Sequence, residues 1–280
     1  MNERPVAWVD GRLAGDEPSL RAYDHGLTVG DGVFETCKVV DAQAFALSRH
    51  LRRLARSAAG LGLPEPDADF VRAGIRAVLT ETDLEFGRLR ITMTGGPGPL
   101  GSDRASAAPT YVVLAAPLAR PAPSAAVVLA PWTRNENSAV AGLKTTSYAE
   151  NVVALAYARE RGAGEALLAN TRGELCEGTG SNVLLALDGE LVTPPLNSGA
   201  LAGITRELLL EWAHEQGVVI AERPVALTEL GRAAEVALLS STRDVQAVHR
   251  LDEMGYSAPG PLTVVAAEVF ARGAARGLDP

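Results

Sequence analysis

This sequence of 280 residues has few cysteines, no long apolar run and no excess of positive charge. With only two cysteines, Cys37 and Cys176, it has no disulfide framework, so a reducing cytoplasm is the expected compartment. No run of about 18 apolar residues occurs, and the first residues, Met-Asn-Glu-Arg-Pro, lack the apolar segment of a signal peptide. Because 34 acidic residues outnumber 26 basic ones, the net charge is -8, which disfavours binding to a nucleic-acid backbone. The sequence therefore predicts a cytoplasmic protein without a membrane or nucleic-acid partner.

Lysine is equally rare, because only Lys38 and Lys144 are found among the 26 basic residues. Arginine keeps its proton at any biological pH, whereas lysine can lose it and become a nucleophilic amine. Lys38 shares one face of a strand-like run with Phe34 and Thr36, a position typical of a solvent-exposed strand charge. Its expected role is therefore structural.

Lys144 stands just before a predicted helix. Ser147 and Glu150 have the spacing of a capping box, in which Ser147 is the N-cap. The positive end of the helix dipole is then expected to lower the pKa of the Lys144 amine. Lys144 is the candidate nucleophile of the chain, and its chemistry suits a Schiff base.

The apolar pattern predicts alternating strands and helices, which indicates an α/β or α+β protein. We expect a small N-terminal subdomain over residues 1–118, a proline-rich linker over 119–131 and a larger C-terminal subdomain over 132–280, with a site between the subdomains. The pair Asp188-Gly189 predicts a hairpin turn. Strands are predicted over 33–40, 87–94, 110–116, 165–169, 182–187, 190–193 and 236–239, and helices over 48–63, 67–79, 147–161 and 205–216.

Two glycine-bearing segments in the second half are candidate ligand-binding turns. Glu177 opens the turn 177–182, which matches neither the G-x-G-x-x-G dinucleotide motif nor the G-x-S-x-G hydrolase motif. Gly-Ile-Thr-Arg at 203–206 precedes a helix whose N-terminus could bind an anion, and Ser-Ser-Thr at 240–242 could contact the same anion. The four histidines lack metal-ligand spacing, so no catalytic metal is expected, and His50 is expected to be structural.

The order of these segments resembles that of the class IV aminotransferases, the fold-type IV pyridoxal-phosphate enzymes. Five segments carry the resemblance, at 24–36, 144–151, 177–182, 203–206 and 240–242, and together they span nearly the whole chain. The family includes branched-chain aminotransferases, D-amino acid aminotransferases and 4-amino-4-deoxychorismate lyases. The resemblance implies an α/β fold of two subdomains with pyridoxal 5'-phosphate at their interface. It also implies a homodimer in which a loop of the partner subunit completes the pocket.

The resemblance assigns roles to individual residues. Lys144 corresponds to the lysine that forms the Schiff base and moves the proton at Cα. Glu177 corresponds to the carboxylate that keeps the pyridine nitrogen protonated, so that the ring can act as an electron sink. Tyr148 corresponds to a tyrosine near the phenolic oxygen of the cofactor in many members. The phosphate contacts fall on Arg53, Ile204, Thr205 and Ser241.

The segment that binds the substrate carboxylate in many family members has a different sequence in this chain. Many members supply a carboxylate-binding arginine in Thr-Arg-Gly or Ser-Arg-Gly after the strand over 87–94, whereas this chain has Thr-Gly-Gly at 94–96. Strand alternation places Arg90 on the same face as Thr92, so Arg90 is a candidate substitute for that clamp. The alternative is an outward, ion-paired arginine. The other candidate substrate residues are Phe34, Thr36 and Thr242.

Two enzymatic functions are open at this point. The favoured one is a transaminase that moves an amino group from a D- or branched L-amino acid, or from a primary amine, to a 2-oxo acid. The alternative is a lyase that converts 4-amino-4-deoxychorismate to 4-aminobenzoate and pyruvate. Both begin with proton loss at Cα and differ in the group that leaves next. A protein that kept the fold but lost turnover is disfavoured, because Lys144 and Glu177 are both present.

Overall fold

The computed structural model describes residues 4–280, which form two compact units. The N-terminal unit consists of the residues up to Arg120 together with Leu143–Tyr148 and Leu278–Pro280. The C-terminal unit consists of Pro121–Gly142 and Ala149–Gly277. Lys144 therefore belongs to the N-terminal unit, whereas the predicted boundaries had placed it in the subdomain over 132–280.

An antiparallel sheet forms the framework of the N-terminal unit. Its six strands are β1 (Val6–Val9), β2 (Arg12–Ala14), β3 (Gly32–Val40), β4 (Gln43–Ala44), β5 (Phe86–Thr94) and β6 (Thr110–Pro117). Their spatial order is β2-β1-β6-β5-β3-β4. The helices of this unit are α1 (His25–Thr28), α2 (Leu47–Gly60) and α3 (Ala68–Thr80). The strands and helices predicted for this half are confirmed, with shifts of up to three residues at their ends.

The two faces of this sheet have different surroundings because side chains alternate along each strand. One face carries the buried core residues of β3 and β5, which are Val33, Cys37, Val39, Leu89, Ile91 and Met93. Apolar residues of α2 and α3 pack against that face. The intervening residues point to the opposite face, where the strand register pairs Phe34 with Thr92 and Thr36 with Arg90. The predicted shared face of Phe34 and Thr36 is confirmed.

A larger mixed sheet forms the framework of the C-terminal unit. Its nine strands are β7 (Ser124–Arg134), β8 (Glu165–Asn170), β9 (Leu175–Gly178), β10 (Asn182–Leu187), β11 (Glu190–Thr193), β12 (Ile220–Glu222), β13 (Ala233–Ser240), β14 (Asp244–Leu251) and β15 (Met254–Gly255). The spatial order is β12-β11-β10-β13-β14-β7-β8-β9, and β15 pairs with β14. The helices are α4 (Ala149–Glu160), α5 (Ile204–Glu215) and α6 (Pro261–Ala274).

The hairpin predicted at Asp188-Gly189 is confirmed. β10 and β11 pair antiparallel, with Leu187 opposite Glu190. Asp188 has φ of 51° and Gly189 has φ of 85°. Positive φ at both central residues is the geometry of the tight turn whose twist matches that of the strands.

Three local predictions are wrong. The linker predicted over 119–131 is too long, because its second half lies in β7, where parallel pairing with β14 and β8 overrides the proline signal. The N-cap predicted at Ser147 is misplaced, since α4 begins at Ala149 and the Ser147 hydroxyl donates to the Gly30 carbonyl at 2.9 Å. Lys38 is buried rather than solvated: the chain folds back so that the Phe45 amide donates to the Lys38 carbonyl, and the Lys38 amine lies 4.8 Å from the Phe45 ring centroid.

Within residues 4–280, no helix combines the length and the apolar character that crossing a membrane requires.

Candidate active site

Hydrogen bonds to β3 and α2 fix the backbone of Lys144. The Phe34 amide donates to the Lys144 carbonyl at 2.9 Å, and the Thr146 amide donates to the Gly32 carbonyl at 2.8 Å. The Lys144 amide donates to the Ser57 hydroxyl at 3.2 Å. These bonds hold the segment Leu143–Tyr148 in the N-terminal unit. They also direct the side chain of Lys144, which is partly buried, toward the sheet face that carries Phe34.

The amine of Lys144 lies among aromatic rings. Its Nζ is 4.5 Å from the centroid of the Phe34 ring and 5.7 Å from that of the Tyr148 ring. The two rings meet edge to face, with centroids 5.2 Å apart. Arg90 lies over the Phe34 ring, with Cζ 3.7 Å from the centroid. The structure thus brings Lys144, Phe34, Tyr148 and Arg90 together, and places Thr36 directly opposite Arg90 in the strand register.

Arg90 forms no ion pair with any carboxylate in the part of the chain that the structure describes. The residue is half-buried, and burial lowers the pKa of its guanidinium below the ordinary value, with the nearby Arg88 acting in the same direction. A buried cation without an acidic partner is costly, and a bound anion would offset that cost. The position of Arg90 beside Lys144 suits a carboxylate ligand.

Arg53 is held by a buried ion pair. Its Nε donates to Oε1 of Glu35 at 2.7 Å, and its Nη2 donates to Oε2 at 2.6 Å. His50 donates from Nδ1 to the same Oε2 at 2.6 Å, so the expectation that His50 is structural agrees with the geometry. Burial alone would raise the pKa of Glu35, but Arg53 and His50 outweigh it and lower that pKa from 4.5 to about 2. The pair orients the guanidinium that the family pattern assigns to the cofactor phosphate.

Replacing Glu35 with glutamine is expected to destabilise the fold by about 3–5 kcal/mol at pH 7, because the buried Arg53 loses its counter-charge. Wild-type Glu35 keeps its charge to about pH 2 when folded but takes up a proton near 4.5 when unfolded, so its stabilisation is lost as the pH falls from 4.5 to about 2. Burial also lowers the pKa of His50 below its ordinary value of 6.5, which adds to the acid destabilisation below that pH.

Urea unfolding at several pH values measures both effects. The Glu35→Gln variant should start from a lower free energy of unfolding and decline less steeply between pH 4.5 and 2. Glu85→Gln is the matched control, because Glu85 pairs with Arg120 at a highly exposed site. Equal stabilities for wild type and the Glu35 variant would contradict the assignment of this pair.

In the C-terminal unit, Glu177 is the last residue but one of β9, and its carboxylate lies between an amide and a guanidinium. Oε2 accepts from the Leu201 amide at 2.9 Å, and Oε1 lies 3.4 Å from Nε of Arg134. Arg134 donates to the Asn151 side chain at 3.2 Å, and Asn151 in turn donates to the Thr179 carbonyl at 2.6 Å. The roles of Arg134 and Asn151 beside Glu177 were not predicted: Asn151 ends the segment 144–151 that resembles the family, but neither residue has a local signal that connects it to Glu177.

The N-terminus of α5 has the features of an anion site. Helix α5 begins at Ile204 with Gly203 as its N-cap, and no side chain caps it. Ile204 and Thr205 are buried, and the first amides of a helix have no partner within the helix. A Cβ at Gly203 would lie 1.9 Å from the Asn182 side chain, so only glycine permits this close approach. Asn182 in turn donates to the Leu201 carbonyl at 2.8 Å. The donors present fit a phosphate group.

Ser241 and Thr242 lie in the turn between β13 and β14, at the same end of the sheet as this helix terminus. The register of β10 and β13 places Asn182 opposite Leu239, and Ser241 follows Leu239 by two residues. The candidate cofactor residues therefore fall into two sets. Arg53, Lys144 and Tyr148 lie in the N-terminal unit, and Glu177, Ile204, Thr205 and Ser241 lie in the C-terminal unit.

No group of three or more histidine, cysteine, aspartate or glutamate residues within positions 4–280 is arranged to hold a metal ion. The two cysteines are free and buried, and burial raises the pKa of both thiols. For Cys176 that pKa rises to about 12. Neither thiol is therefore suited to nucleophilic chemistry at neutral pH.

Comparison with known proteins places this arrangement in a family. The profile of the family "Amino-transferase class IV" matches residues 32–251. A bifunctional aminodeoxychorismate lyase / D-amino acid transaminase of Mycobacterium tuberculosis is 33% identical over 266 residues, which cover 88% of this chain and 91% of the relative. A branched-chain-amino-acid aminotransferase of Pseudomonas aeruginosa is 28% identical over 275 residues, covering 92% and 89%.

The fold has close counterparts among solved structures. A hypothetical aminotransferase from Mycobacterium tuberculosis in its PLP-bound form superposes with a TM-score of 0.84 at 29% sequence identity, covering 96% of this chain and 98% of the other. The predicted fold class, an α/β fold of type IV, is confirmed, and it consists of two sheets with helices. A profile match over residues 32–251 and relatives that cover most of the chain show that this protein belongs to the class IV aminotransferases, which are pyridoxal-phosphate-dependent enzymes.

Proposed function

We propose that Lys144 holds the cofactor through its amine and is the base that moves the proton at the substrate Cα. The observation that carries this proposal is the position of its Nζ against Phe34 and Tyr148, beside the unpaired Arg90. When bound, pyridoxal phosphate supplies an electron sink for the charge that develops at Cα. The Lys144 amine is suited to proton transfer because its backbone is fixed by bonds to β3 and α2.

The other cofactor contacts follow from chemistry and from the family pattern. Glu177 would pair with the protonated pyridine nitrogen, and Arg134 lies beside that carboxylate, with Nε 3.4 Å from Oε1. The amides at the start of α5 and the hydroxyls of Thr205 and Ser241 would bind the phosphate, and the family pattern also assigns Arg53 to it. Tyr148 would contact the phenolic oxygen. A donor set of amides, hydroxyls and one guanidinium fits a phosphate monoester.

We propose that the substrate is an amino acid or a 2-oxo acid whose carboxylate binds Arg90. Support comes from the absence of an ion pair for Arg90 within residues 4–280 and from its contact with the Phe34 ring. Stacking on that ring holds the planar guanidinium in one orientation, which favours bidentate binding of a carboxylate. Thr36, opposite Arg90 in the register, and Thr242 are the further proposed substrate contacts, with Phe34 as the apolar wall.

Replacing Arg90 with alanine is expected to raise the KM for pyruvate by about 10–100-fold, the loss of one charge-assisted hydrogen-bonded contact. The kcat should change less, because the carboxylate lies away from the reacting atoms. Steady-state kinetics over a range of pyruvate concentrations gives both constants. Arg88→Ala, an exposed arginine two residues earlier on the same strand, should behave as wild type. An unchanged KM in the Arg90 variant would exclude the clamp.

The donor is proposed to be a D-amino acid, a branched L-amino acid or a primary amine, and the lyase reaction is the second candidate. The relative from Mycobacterium tuberculosis is named for both lyase and D-amino acid transaminase activity, which keeps the second candidate in view. Proton loss at Cα is common to both reactions, so the Lys144 and Glu177 machinery serves either. The two reactions differ in the next step: in transamination the amino group stays on the cofactor and a 2-oxo acid leaves, whereas in the lyase reaction pyruvate is eliminated and the ring becomes 4-aminobenzoate.

A half-reaction panel tests these proposals. The cofactor-loaded protein is mixed separately with D-alanine, a branched L-amino acid and an (R)-amine, and conversion of the bound cofactor to its amine form is followed by absorbance. Appearance of a new amino acid after addition of 2-oxoglutarate completes the transamination. If no donor converts the cofactor while 4-amino-4-deoxychorismate yields pyruvate, the lyase function replaces the proposed one.

We propose that the protein is a cytoplasmic homodimer in which a loop of the partner subunit completes the pocket. Two buried free cysteines suit a reducing compartment. Exposed apolar residues of the N-terminal unit support a dimer surface, and they are Tyr23, Leu27, Val29 and Leu100. Bonds from Gly98 to the Tyr23 carbonyl and between His25 and the Pro99 carbonyl join the two loops that carry them. Sedimentation equilibrium measures the assembly directly.

A further inference from the structure

A buried carboxylate in the C-terminal unit, Glu165, contacts two turns that the proposed function places around the cofactor. Glu165 begins β8 and is only 4% exposed. Its Oε1 accepts from the Gly180 amide at 2.8 Å and from the Ser181 hydroxyl at 2.6 Å. These donors belong to the turn that follows Glu177. A carboxylate with this degree of burial requires a counter-charge.

Arg243 supplies that counter-charge and joins the second turn. Its Nη1 lies 2.5 Å from Oε2 of Glu165, and its Nε donates to the Ser240 hydroxyl at 2.9 Å. Ser240 and Arg243 flank Ser241 and Thr242, so the guanidinium braces the turn from both of its ends. The Glu165–Arg243 pair therefore connects the turn after Glu177 to the turn that carries Ser241.

Strand pairing does not join these two turns to each other. The ladder between β10 and β13 ends at the pair Asn182 and Leu239, and the turn at 241–243 is closed separately by the pair Ser240 and Asp244 of β13 and β14. The packing around Glu165 is tight, since a Cβ at Gly178 would lie 2.5 Å from its Oε1 and 2.5 Å from the Ser181 hydroxyl oxygen. Glu165 and its partner Arg243 therefore connect the two turns beyond the end of the β10–β13 ladder.

We propose that Glu165 and Arg243 are positioning residues that set the spacing between the carboxylate of Glu177 and the hydroxyl of Ser241. This inference rests on the proposed function, in which Glu177 meets the pyridine nitrogen and Ser241 meets the phosphate. The cofactor ring is rigid, so its nitrogen and its phosphate arm lie a nearly fixed distance apart. Two turns that bind the opposite ends of one rigid ligand must keep a matching separation, and a buried ion pair between them does so before the ligand arrives.

Three variants test the proposal: Arg243→Met, Glu165→Gln and the double variant. Apoprotein is titrated with pyridoxal phosphate and, separately, with pyridoxal, which lacks the phosphate. We expect each single change to weaken pyridoxal-phosphate binding by about tenfold, the loss of one charged hydrogen-bonded contact, and to weaken pyridoxal binding by less. The double variant should lose no more than either single variant, because both remove the same link.

Controls separate positioning from a general structural role. Arg232→Met removes an exposed ion pair with Asp188 in the same unit and should leave both affinities unchanged. Thermal unfolding of the apoproteins is measured alongside. Ser240→Ala, which removes only the Arg243–Ser240 bond, provides a milder variant if Arg243→Met does not fold, and it should also lower the ratio of pyridoxal-phosphate to pyridoxal affinity.

Four outcomes would overturn the inference. They are affinities within twofold of wild type, additive losses in the double variant, equal losses for the two ligands that follow the loss of thermal stability, and preserved or tighter pyridoxal-phosphate binding in Glu165→Gln. The last would mean that Arg243, once released, binds the phosphate itself. A wild-type protein that takes up no pyridoxal phosphate would instead refute the proposed cofactor site, so the two failures are distinguishable.

Discussion

Replacing Lys144 with alanine is expected to reduce the kcat of amino transfer by about 10⁴-fold or more. The loss of a general acid–base group alone accounts for up to about 10⁴-fold, and this variant also loses the covalent attachment of the cofactor. The chain contains only one other lysine, Lys38. It lies on the same strand as Phe34, but its amine lies against the Phe45 ring. No second amine is therefore positioned among Phe34, Tyr148 and Arg90 in residues 4–280.

Borohydride reduction followed by peptide mapping checks the covalent part of this prediction independently of turnover. The wild-type adduct should map to the peptide that contains Lys144, and the Lys144→Ala variant should yield none. Lys38→Arg is the matched control, because it removes the other lysine and keeps its charge. An adduct on Lys38, or one that persists after Lys144→Ala, would show that another amine carries the cofactor.

Replacing Glu177 with glutamine is expected to lower the kcat by about 10²–10³-fold, the size of effect seen when one preorganised electrostatic contact to a reacting centre is removed. A neutral amide cannot stabilise a protonated pyridine nitrogen, so charge from Cα is withdrawn less effectively. Arg134 lies 3.4 Å from the carboxylate of Glu177. In the variant its positive charge is no longer balanced by that carboxylate, which lowers the kcat further. The cofactor should remain attached to Lys144.

Single-turnover absorbance measurements on cofactor-loaded protein isolate this step from binding. Glu177→Asp should recover part of the rate, since the charge is kept and only the reach is shortened. Glu174→Gln is the control, because Glu174 lies three residues earlier and pairs with the partly exposed Arg172. If Glu177→Gln turned over at the wild-type rate, the ring nitrogen would have to be stabilised by a different group.

The sequence predicted those features of the fold that depend on local patterns. Alternation along β3 and β5 was sufficient to place Phe34 and Thr36 on one face and Arg90 on the face with Thr92. The turn at Asp188-Gly189 followed from residues that tolerate positive φ. The scarcity of lysine drew attention to Lys144, and the order of five short segments indicated the family. The strand and turn signals lie within a few residues of the features they predict, whereas the family signal is spread over nearly the whole chain.

The features that were missed depend on residues far apart in the chain. Glu35 and Arg53 form their ion pair only because α2 packs on β3, and Glu165 meets Arg243 only after β8 and β13 enter one sheet. Lys38 was predicted to be solvent-exposed because the alternation of residues in β3 does not show that the chain folds back and places Phe45 against it. A charged residue is normally predicted to lie on the surface, because the sequence does not show which distant residue will pair with it. Sequence patterns therefore fail to predict buried ion pairs.

Because the core residues and the proposed substrate contacts occupy opposite sides of β3 and β5, protein engineering of this enzyme can vary the two sets separately. Saturation libraries confined to Phe34, Thr36 and Thr92 leave the apolar layer beneath α2 and α3 intact. Such libraries should return a high fraction of folded clones with altered donor or acceptor preference. The same two strands thus carry a face that can be varied and a face that keeps the apolar core.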